Sequence, residues 1–268
     1  MIEFLPVIIL VFSFLILLVL GVPVAWCIAM SSMFTLMAAM PFSAATTTVS
    51  QRIATGLDSF ALLAIPFFIL SGQIMSKGGI ADRLISFAKT LVGFLPGGLA
   101  LINIVSAMLM GAIAGSAMAS ASAMGTILGP EMEKEGYSKE FGAAVNITSS
   151  TTGLVIPPSN TLIVYSLASG GVSIAALFLA GYIPGILTGL FMMIVAMIWA
   201  KKNNYPVGKR SSLKDVFVKF IDAFPSLLLL VIVIGGIIAG IFTATEASAV
   251  AVLYTVSVSY THLRAHET

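Results

Sequence analysis

Long runs without Asp, Glu, Lys or Arg dominate this chain. They cover most of its 268 residues, at 4–51, 59–76, 90–130, 141–200 and 223–245. A bilayer core about 30 Å thick requires about 20 apolar helical residues to cross it. Only 9% of the residues are charged, whereas soluble domains carry roughly a quarter. We therefore expect an all-α integral membrane protein, and the composition excludes a soluble domain, a nucleic-acid-binding protein and a disordered chain.

Turn residues divide the apolar runs into spans. Gly21-Val22-Pro23 predicts a turn between two crossings in the first run, because Pro lacks a backbone donor and Gly admits positive φ. Residues 57–76 predict a third span, kinked at Pro66. The run at 141–200 predicts two more, the second over 173–200. Together the spans predict a multi-pass helical bundle.

The run at 90–130 is too irregular for a simple crossing. Its centre, GAIAGSAMAS at 111–120, is almost entirely small residues. The arms at 98–110 and 117–130 are shorter than the usual span of about 17–25 residues. The pattern predicts a re-entrant hairpin over 97–130, with its tip facing a site, because unpaired backbone at membrane depth requires protein or water around it.

A broken helix is predicted at 141–165. NITSSTTGLVIPPSNT (146–161) places hydroxyls, Gly153 and Pro157-Pro158 inside a crossing. The break frees carbonyl groups, which suit a hard cation such as sodium, and creates a helix N-terminus near Ser159, which suits a carboxylate. A single hydroxyl here is explained as well by helix packing, but two broken elements together match the discontinuous helices of secondary transporters.

Basic residues indicate the orientation. Of the 12 Lys and Arg residues before residue 258, 11 lie at 77–89, 131–140 and 201–222. The positive-inside rule then predicts that these segments are cytoplasmic and that the N-terminus is outside. Glu246 lies between long uncharged runs. A buried functional carboxylate and an interface marker are equally compatible with that position.

The remaining chemistry is sparse. Cys27 is the single cysteine, and both histidines lie in the last eleven residues, 258–268, which resemble a translated sequencing adapter. We therefore expect that tail to be non-native. Without it the chain has no histidine, so we expect neither an enzyme nor an organic cofactor.

Eight motifs in order identify a family resemblance. The chain resembles the large membrane subunit, DctM-like, of tripartite ATP-independent periplasmic (TRAP) transporters up to about Ser257. The motifs are LGVPVAW (20–26), LLAIPFFILSGQIM (62–75), GFLPGGLALINI (93–104), GAIAGSAMASASAMG (111–125), GYSKEF (136–141), SSTTGLVIPPS (149–159), SIAALFLAGYIPG (173–185) and GIFTATEASAVA (240–251).

The resemblance implies a sodium-driven importer of organic acids, C4-dicarboxylates or other carboxylates, in the bacterial inner membrane with a periplasmic N-terminus. Its partners would be a small four-helix membrane subunit and a periplasmic substrate-binding protein. Residues 1–200 would form the first inverted repeat of an elevator-type transporter, 201–222 a cytoplasmic linker and 223–257 the start of a second repeat. Most of that second repeat is expected beyond this sequence. The alternative is an inverted-repeat sodium/anion secondary transporter without a binding protein.

The resemblance also implies site residues. The sodium ion would lie near the hairpin tip and the Pro-Pro break, at Ala114, Ser116, Ser120, Gly153, Ile156 and Pro158. The substrate cavity is expected at Gly115, Ser149, Ser150, Thr152, Pro157, Ser159 and Asn160, and a second-repeat contribution at Thr243, Thr245 and Glu246. The chain departs from the family in three places. Ala114 replaces a usual Ser, Ser120 a frequent Asp, and Ala244 a common Pro.

Overall fold

The computed structural model describes residues 4–208 and 210–267, and their side chains except those of residues 77, 80 and 260–267. The regular structure in these ranges consists of helices, with one isolated β-bridge between Pro96 and Val207. The chain divides into two compact units, Met1–Ser59 and Phe60–Thr268. We describe each unit separately.

The N-terminal unit contains three helices, α1 (Leu5–Val19), α2 (Val24–Met37) and α3 (Phe42–Leu57). Gly21 has a φ of 78°, which confirms the predicted turn between α1 and α2. The two crossings predicted in the run at 4–51 correspond in position to α1 and α2, and α3 also begins within this run, with Pro41 as its N-cap residue. Cys27 is buried on α2.

The described residues of the second unit form nine helices. They are α4 (Ala64–Lys77), α5 (Ile80–Val92), α6 (Gly98–Ala114), α7 (Ala117–Lys134), α8 (Lys139–Ser150), α9 (Asn160–Ala168), α10 (Ile174–Lys202), α11 (Leu213–Ile238) and α12 (Ala244–Glu267). Short 3-10 turns cover Phe60–Leu63 and Thr151–Leu154. The central helix is α6, which packs against α4, α5, α7, α8 and α10 and buries most of its residues.

The predicted third span at 57–76 is not one helix. Residues Phe60–Leu63 form a 3-10 turn, and α4 then runs without interruption through Pro66. Pro66 is the third residue of α4, where its missing N–H has no intrahelical partner to lose, so it causes no kink.

The predicted linker at 201–222 is partly helical. Helix α11 already begins at Leu213, because Ser212 and Asp215 form a capping box that satisfies the first free N–H groups. The Ser212 N–H donates to the Asp215 carboxylate at 3.1 Å. At the other boundary, α10 starts at Ile174 with Ser173 as its N-cap, as the sequence predicts.

The last part of the first basic segment, with Ser86 and Lys89, lies beside Glu135 and the third segment at one end of the second unit. We call this end, formed by residues 86–99, 131–140 and 201–222, the charged end. Tyr137 stacks on Tyr205 with ring centroids 4.3 Å apart, and the Ser138 N–H donates to the Tyr205 hydroxyl at 3.3 Å. Burial raises the pKa of Tyr137 to about 12, so it remains a neutral phenol at physiological pH. This convergence supports a location on one side of the membrane for the three stretches that meet here. Which side that is stays a prediction.

In the described part of the chain, α10 and α11 are each long and apolar enough to cross a bilayer alone. Shorter apolar helices accompany them, namely α1, α2, α6 and the Ala244–Ser259 part of α12. The backbone of α12 continues to Glu267, through the tail that the sequence assigns to a non-native origin. The assignment of that tail, and of residues 1–200 as a first repeat, stays a prediction.

Candidate functional site

The predicted break in the small-residue run lies at Gly115-Ser116. Gly115 adopts a left-handed conformation with a φ of 60°, which ends α6. Glycine adopts this conformation without the steric strain that a Cβ atom would cause. Ser116 is extended, and its hydroxyl accepts the N–H of Ala119 at 3.4 Å to cap α7. The two arms have 17 and 18 residues, so the prediction of shorter arms is wrong. Re-entry from one membrane side stays a prediction.

The helix at 141–165 is broken, as the hydroxyl and proline pattern predicts. Helix α8 ends at Ser150, a 3-10 turn follows, and Pro157-Pro158 separates this turn from α9. Ser159 joins both halves of the break. Its hydroxyl donates to the Leu154 carbonyl and accepts the N–H of Leu162 at 3.4 Å, so it caps the new helix.

The hairpin tip and the helix break are in direct contact. The Asn160 N–H donates to the Gly115 carbonyl at 3.3 Å. A Cβ atom on Gly111 would lie 2.5 Å from the Cα of Gly153, and one on Gly115 would lie 2.9 Å from the carbonyl oxygen of Pro158. The two breaks therefore meet backbone to backbone, which only glycine permits.

Free backbone oxygens lie at this contact. Within the described residues, Thr152 and Leu154 carbonyls accept hydrogen bonds, but those of Gly153, Ile156 and Pro158 accept none. Asn160 Oδ1 is also buried without a partner. Neutral oxygen ligands of this kind fit a hard cation such as sodium. No group of three or more His, Cys, Asp or Glu capable of holding a metal ion occurs in the described part.

Most of the predicted hydroxyl residues are buried and donate to nearby helix carbonyls, whereas Ser116 is half-buried. Ser150 donates to the Asn146 carbonyl at 2.7 Å and Thr152 to that of Ser149 at 2.7 Å. Ser149 donates to the side chain of Asn103 at 3.1 Å. Ser120 donates to the Ala107 carbonyl at 3.2 Å and so contacts α6. These bonds leave the hydroxyl oxygens available as acceptors.

A groove of about 860 Å³ runs between α4 and the hairpin. It brings Ala114, Ser116 and Ser122 of the hairpin together with polar residues that sequence reasoning missed, Gln73, Ser76 and Thr126. The sequence gives none of these three residues a separate signal of binding. Their common feature is a position beside the hairpin, which depends on the packing of α4.

The residues predicted for the second repeat form the start of α12. The Glu246 carboxylate accepts the backbone N–H and the hydroxyl of Thr243, both at 2.8 Å. Thr245 donates its hydroxyl to the Phe60 carbonyl at 2.8 Å. Glu246 is exposed, so the structure favours its interpretation as an interface and capping residue.

Apolar helices combined with two discontinuous elements that meet at their breaks define a polytopic membrane protein of the kind found among secondary transporters. The family model for "Tripartite ATP-independent periplasmic transporter, DctM component" matches residues 11–267. The chain belongs to this family.

Individual relatives agree with the family match. The "Uncharacterized protein YgiK" of Salmonella typhimurium is 56% identical over 95% of this chain and 58% of its own length. The "C4-dicarboxylate TRAP transporter large permease protein DctM" of Vibrio cholerae is 41% identical over 88% of this chain and 52% of its own. The "Sialic acid TRAP transporter large permease protein SiaM" of the same organism is 40% identical over 76% and 48%. The chain spans about half the length of these relatives.

Proposed function

We propose that a protein containing this chain is the large membrane permease of a sodium-driven TRAP transporter that imports organic acids. The observation that carries the proposal is the contact between the hairpin tip and the Pro-Pro break, where three backbone carbonyls and the Asn160 side-chain oxygen accept no hydrogen bond from the described residues. Unpaired groups at membrane depth cost several kcal/mol each unless something binds them. A sodium ion bound by these oxygens would remove that cost.

Coupling to sodium also has an energetic reason. A dicarboxylate carries two negative charges, so two sodium ions only neutralise it. Each further positive charge that enters with the substrate makes import more favourable by about 2.3 kcal/mol per 100 mV of membrane potential. Because Ser120 supplies no carboxylate to this region, we expect the sodium affinity to be weak.

The N-terminus of α9 supports an anionic substrate. Helix α9 begins at Asn160, directly beside the hairpin tip, and the positive end of its dipole favours a carboxylate. Substrates of related permeases, as their names state, include C4-dicarboxylates and sialic acid. We expect the substrate of this protein to be an organic acid of the same chemical kind.

The proposal includes two partners, a small four-helix membrane subunit and a periplasmic substrate-binding protein, and a location in the inner membrane with a periplasmic N-terminus. The family description, a tripartite periplasmic transporter, supports both partners. It also favours this arrangement over a sodium/anion transporter that works without a binding protein.

The test is uptake by the intact transporter reconstituted in vesicles with its small subunit and binding protein. We expect labelled organic acid to accumulate only with an inward sodium gradient. The matched control replaces sodium with choline at the same ionic strength and the same imposed membrane potential. Equal uptake in the two salts would show that sodium does not drive transport.

A further inference from the structure

The groove between α4 and the hairpin has polar side chains on both of its walls. Gln73 and Ser76 line it from α4, and Ser122 and Thr126 line it from α7. The members of each pair are three or four residues apart, which places them on one face of their helix. The two helices therefore present polar groups to the same space.

Most of these side chains are not used in hydrogen bonds within the protein. Among the described residues, the side chains of Gln73, Ser76 and Ser122 have no hydrogen-bond partner. The Thr126 hydroxyl donates to the Ser122 carbonyl at 2.8 Å, which leaves its oxygen as an acceptor. The amide and the serine hydroxyls can both donate and accept. The groove therefore offers neutral donors and acceptors side by side.

This combination suits the hydroxyl groups of a ligand, because each hydroxyl also donates and accepts. A carboxylate only accepts, and removing its charge from water costs far more than removing a hydroxyl. Every polar side chain among the described residues that line the groove is an amide or a hydroxyl. The lining therefore favours a hydroxylated chain over a second carboxylate.

The dimensions of the groove suit a chain of several carbons. Its α7 wall extends from Ser116 to Ile127, about 16 Å at 1.5 Å per residue. A six-carbon chain spans less than about 8 Å, since its carbon–carbon bonds are about 1.5 Å each. Ile69, Met118 and Ile127 add apolar surface to the walls. Such surface can cover the C–H groups of a hydroxylated chain.

One end of the groove lies at the hairpin tip. Ala114 and Ser116 line that end, and the Gly115 carbonyl between them accepts the N–H of Asn160, the first residue of α9, at 3.3 Å. A Cβ atom on Gly72 would lie 2.7 Å from the Cβ of Ala114, so α4 is held directly against this end. A carboxylate at the positive end of the α9 dipole would be close to the groove, along which the rest of the molecule has room.

We propose that this groove binds the hydroxylated chain of a monocarboxylic sugar acid, with Gln73, Ser76, Ser122 and Thr126 as its hydrogen-bonding partners. That such an acid is the transported substrate rests on the proposed function, but its binding to the groove does not. The two can therefore fail separately.

The first experiment measures binding without transport. The intact permease is purified with its small subunit but without the binding protein, which has a specificity of its own. Its native cysteines are replaced, with Cys27→Ser included, and Ala123→Cys in the groove wall is the reporter. Three six-carbon acids in sodium chloride are compared as protectants against a water-soluble thiol reagent. They are gluconate, which is hydroxylated along its chain, adipate, which has a second carboxylate, and hexanoate, which has neither.

We expect gluconate to slow labelling at a concentration at least about tenfold lower than adipate or hexanoate, the effect of one or two net hydrogen bonds. Lys202→Cys, exposed at the charged end, is the control reporter, which no acid should protect. Absent protection by gluconate, or protection by adipate at an equal or lower concentration, would overturn the proposal. An Ala123→Cys thiol that does not react in the folded permease would also overturn it, because another part of the protein would then cover the groove.

The second experiment tests the lining. Gln73→Leu should raise the protecting concentration of gluconate about tenfold and leave that of adipate unchanged. Gln51→Leu, exposed on α3, is the matched control.

Thr126→Val tests the opposite wall and should act in the same direction. Its control is Thr148→Val, because each of these hydroxyls donates to the carbonyl four residues earlier. Labelling of Lys202→Cys reports correct folding of each variant. Unchanged gluconate protection in folded Gln73→Leu and Thr126→Val variants would overturn the role of these residues.

Uptake measurements separate this inference from the proposed function. Sodium-driven uptake of dicarboxylates without gluconate protection would leave the transporter proposal intact and overturn the sugar-acid assignment. Gluconate protection together with equal uptake in sodium and choline would contradict sodium coupling and support the groove assignment.

Discussion

Ser120 shows how much a single residue decides near the site. It is fully buried between the hairpin arms, with its hydroxyl on the Ala107 carbonyl. A carboxylate at this position would face a carbonyl oxygen without a donor. Such a buried charge costs several kcal/mol unless a cation accompanies it.

Ser120→Asp should therefore make the stability of the permease depend on sodium. We expect a lower melting temperature in choline chloride and a recovery in sodium chloride that exceeds the recovery of the parent protein, because the cation would neutralise the carboxylate. Thermal unfolding of the purified permease in detergent measures this effect. Thr148→Asp, on the exposed side of α8, is the control and should show no such dependence. An identical response of both variants to the two salts would contradict a cation beside Ser120.

The two broken elements act as one unit because glycines remove the side chains between them. Gly111 and Gly153 meet at backbone distance, and Gly115 packs on the Pro158 carbonyl. A relative movement of the hairpin against the break would separate the oxygens proposed to bind the ion. The contact therefore holds the site together more directly than the hydroxyl groups around it.

Gly111→Ala tests that contact. The new methyl group would lie 2.5 Å from the Gly153 Cα, and this backbone atom cannot rotate away. Overpacking of this kind costs about 1–3 kcal/mol, so we expect a lower melting temperature and a loss of sodium-dependent uptake. Gly235→Ala on α11, where a Cβ meets nothing within 4 Å, is the matched helical control. Parallel behaviour of both variants would mean that the close approach is unimportant.

Local signals predicted some elements well and others poorly. Helix α10 and both breaks follow from residues adjacent in sequence, a capping Ser173, the Gly115 turn and Pro157-Pro158. The start of α11 was missed because its charged residues suggested a loop, although Ser212 and Asp215 carry the spacing of a capping box.

The candidate site was predictable only in part. The residues at the tip and the break came from contiguous motifs, and the structure brings these two elements together. Asn103 was missed because a single Asn in an apolar run has no local signature. Its importance arises from Asn146 and Ser149 on α8, more than 40 positions away, so it depends on tertiary packing.

At the scale of the whole molecule, the charged end indicates how the protein is oriented in the membrane. Segments distant in sequence converge there around the Tyr137–Tyr205 stack. Phe141 also stacks on Trp199 with centroids 6.2 Å apart. Aromatic residues of this kind concentrate at membrane–water interfaces, and basic residues favour the cytoplasmic side. We therefore assign the charged end to the cytoplasmic surface as a prediction.

Single-cysteine labelling of the permease in a Cys27→Ser background tests this orientation. Lys202→Cys should react with an impermeant reagent only from the cytoplasmic side, and Thr47→Cys only from the periplasmic side. Both side chains are exposed on the protein surface. Permeabilised cells, in which both thiols should react, are the control. The reverse pattern would invert the proposed topology.

The length of α10 has a mechanical consequence for the surrounding lipid. Its 29 residues extend about 43 Å at 1.5 Å per residue, while the hydrocarbon core is about 30 Å thick. Lys201, Lys202 and Trp199 at its C-terminal end favour a fixed depth at the interface. The excess length must then be taken up by tilt or by emergence of the end that begins at Ser173. A thicker bilayer would make α10 more upright and a thinner one more inclined, so lipid chain length would alter the packing of the helices that rest against it.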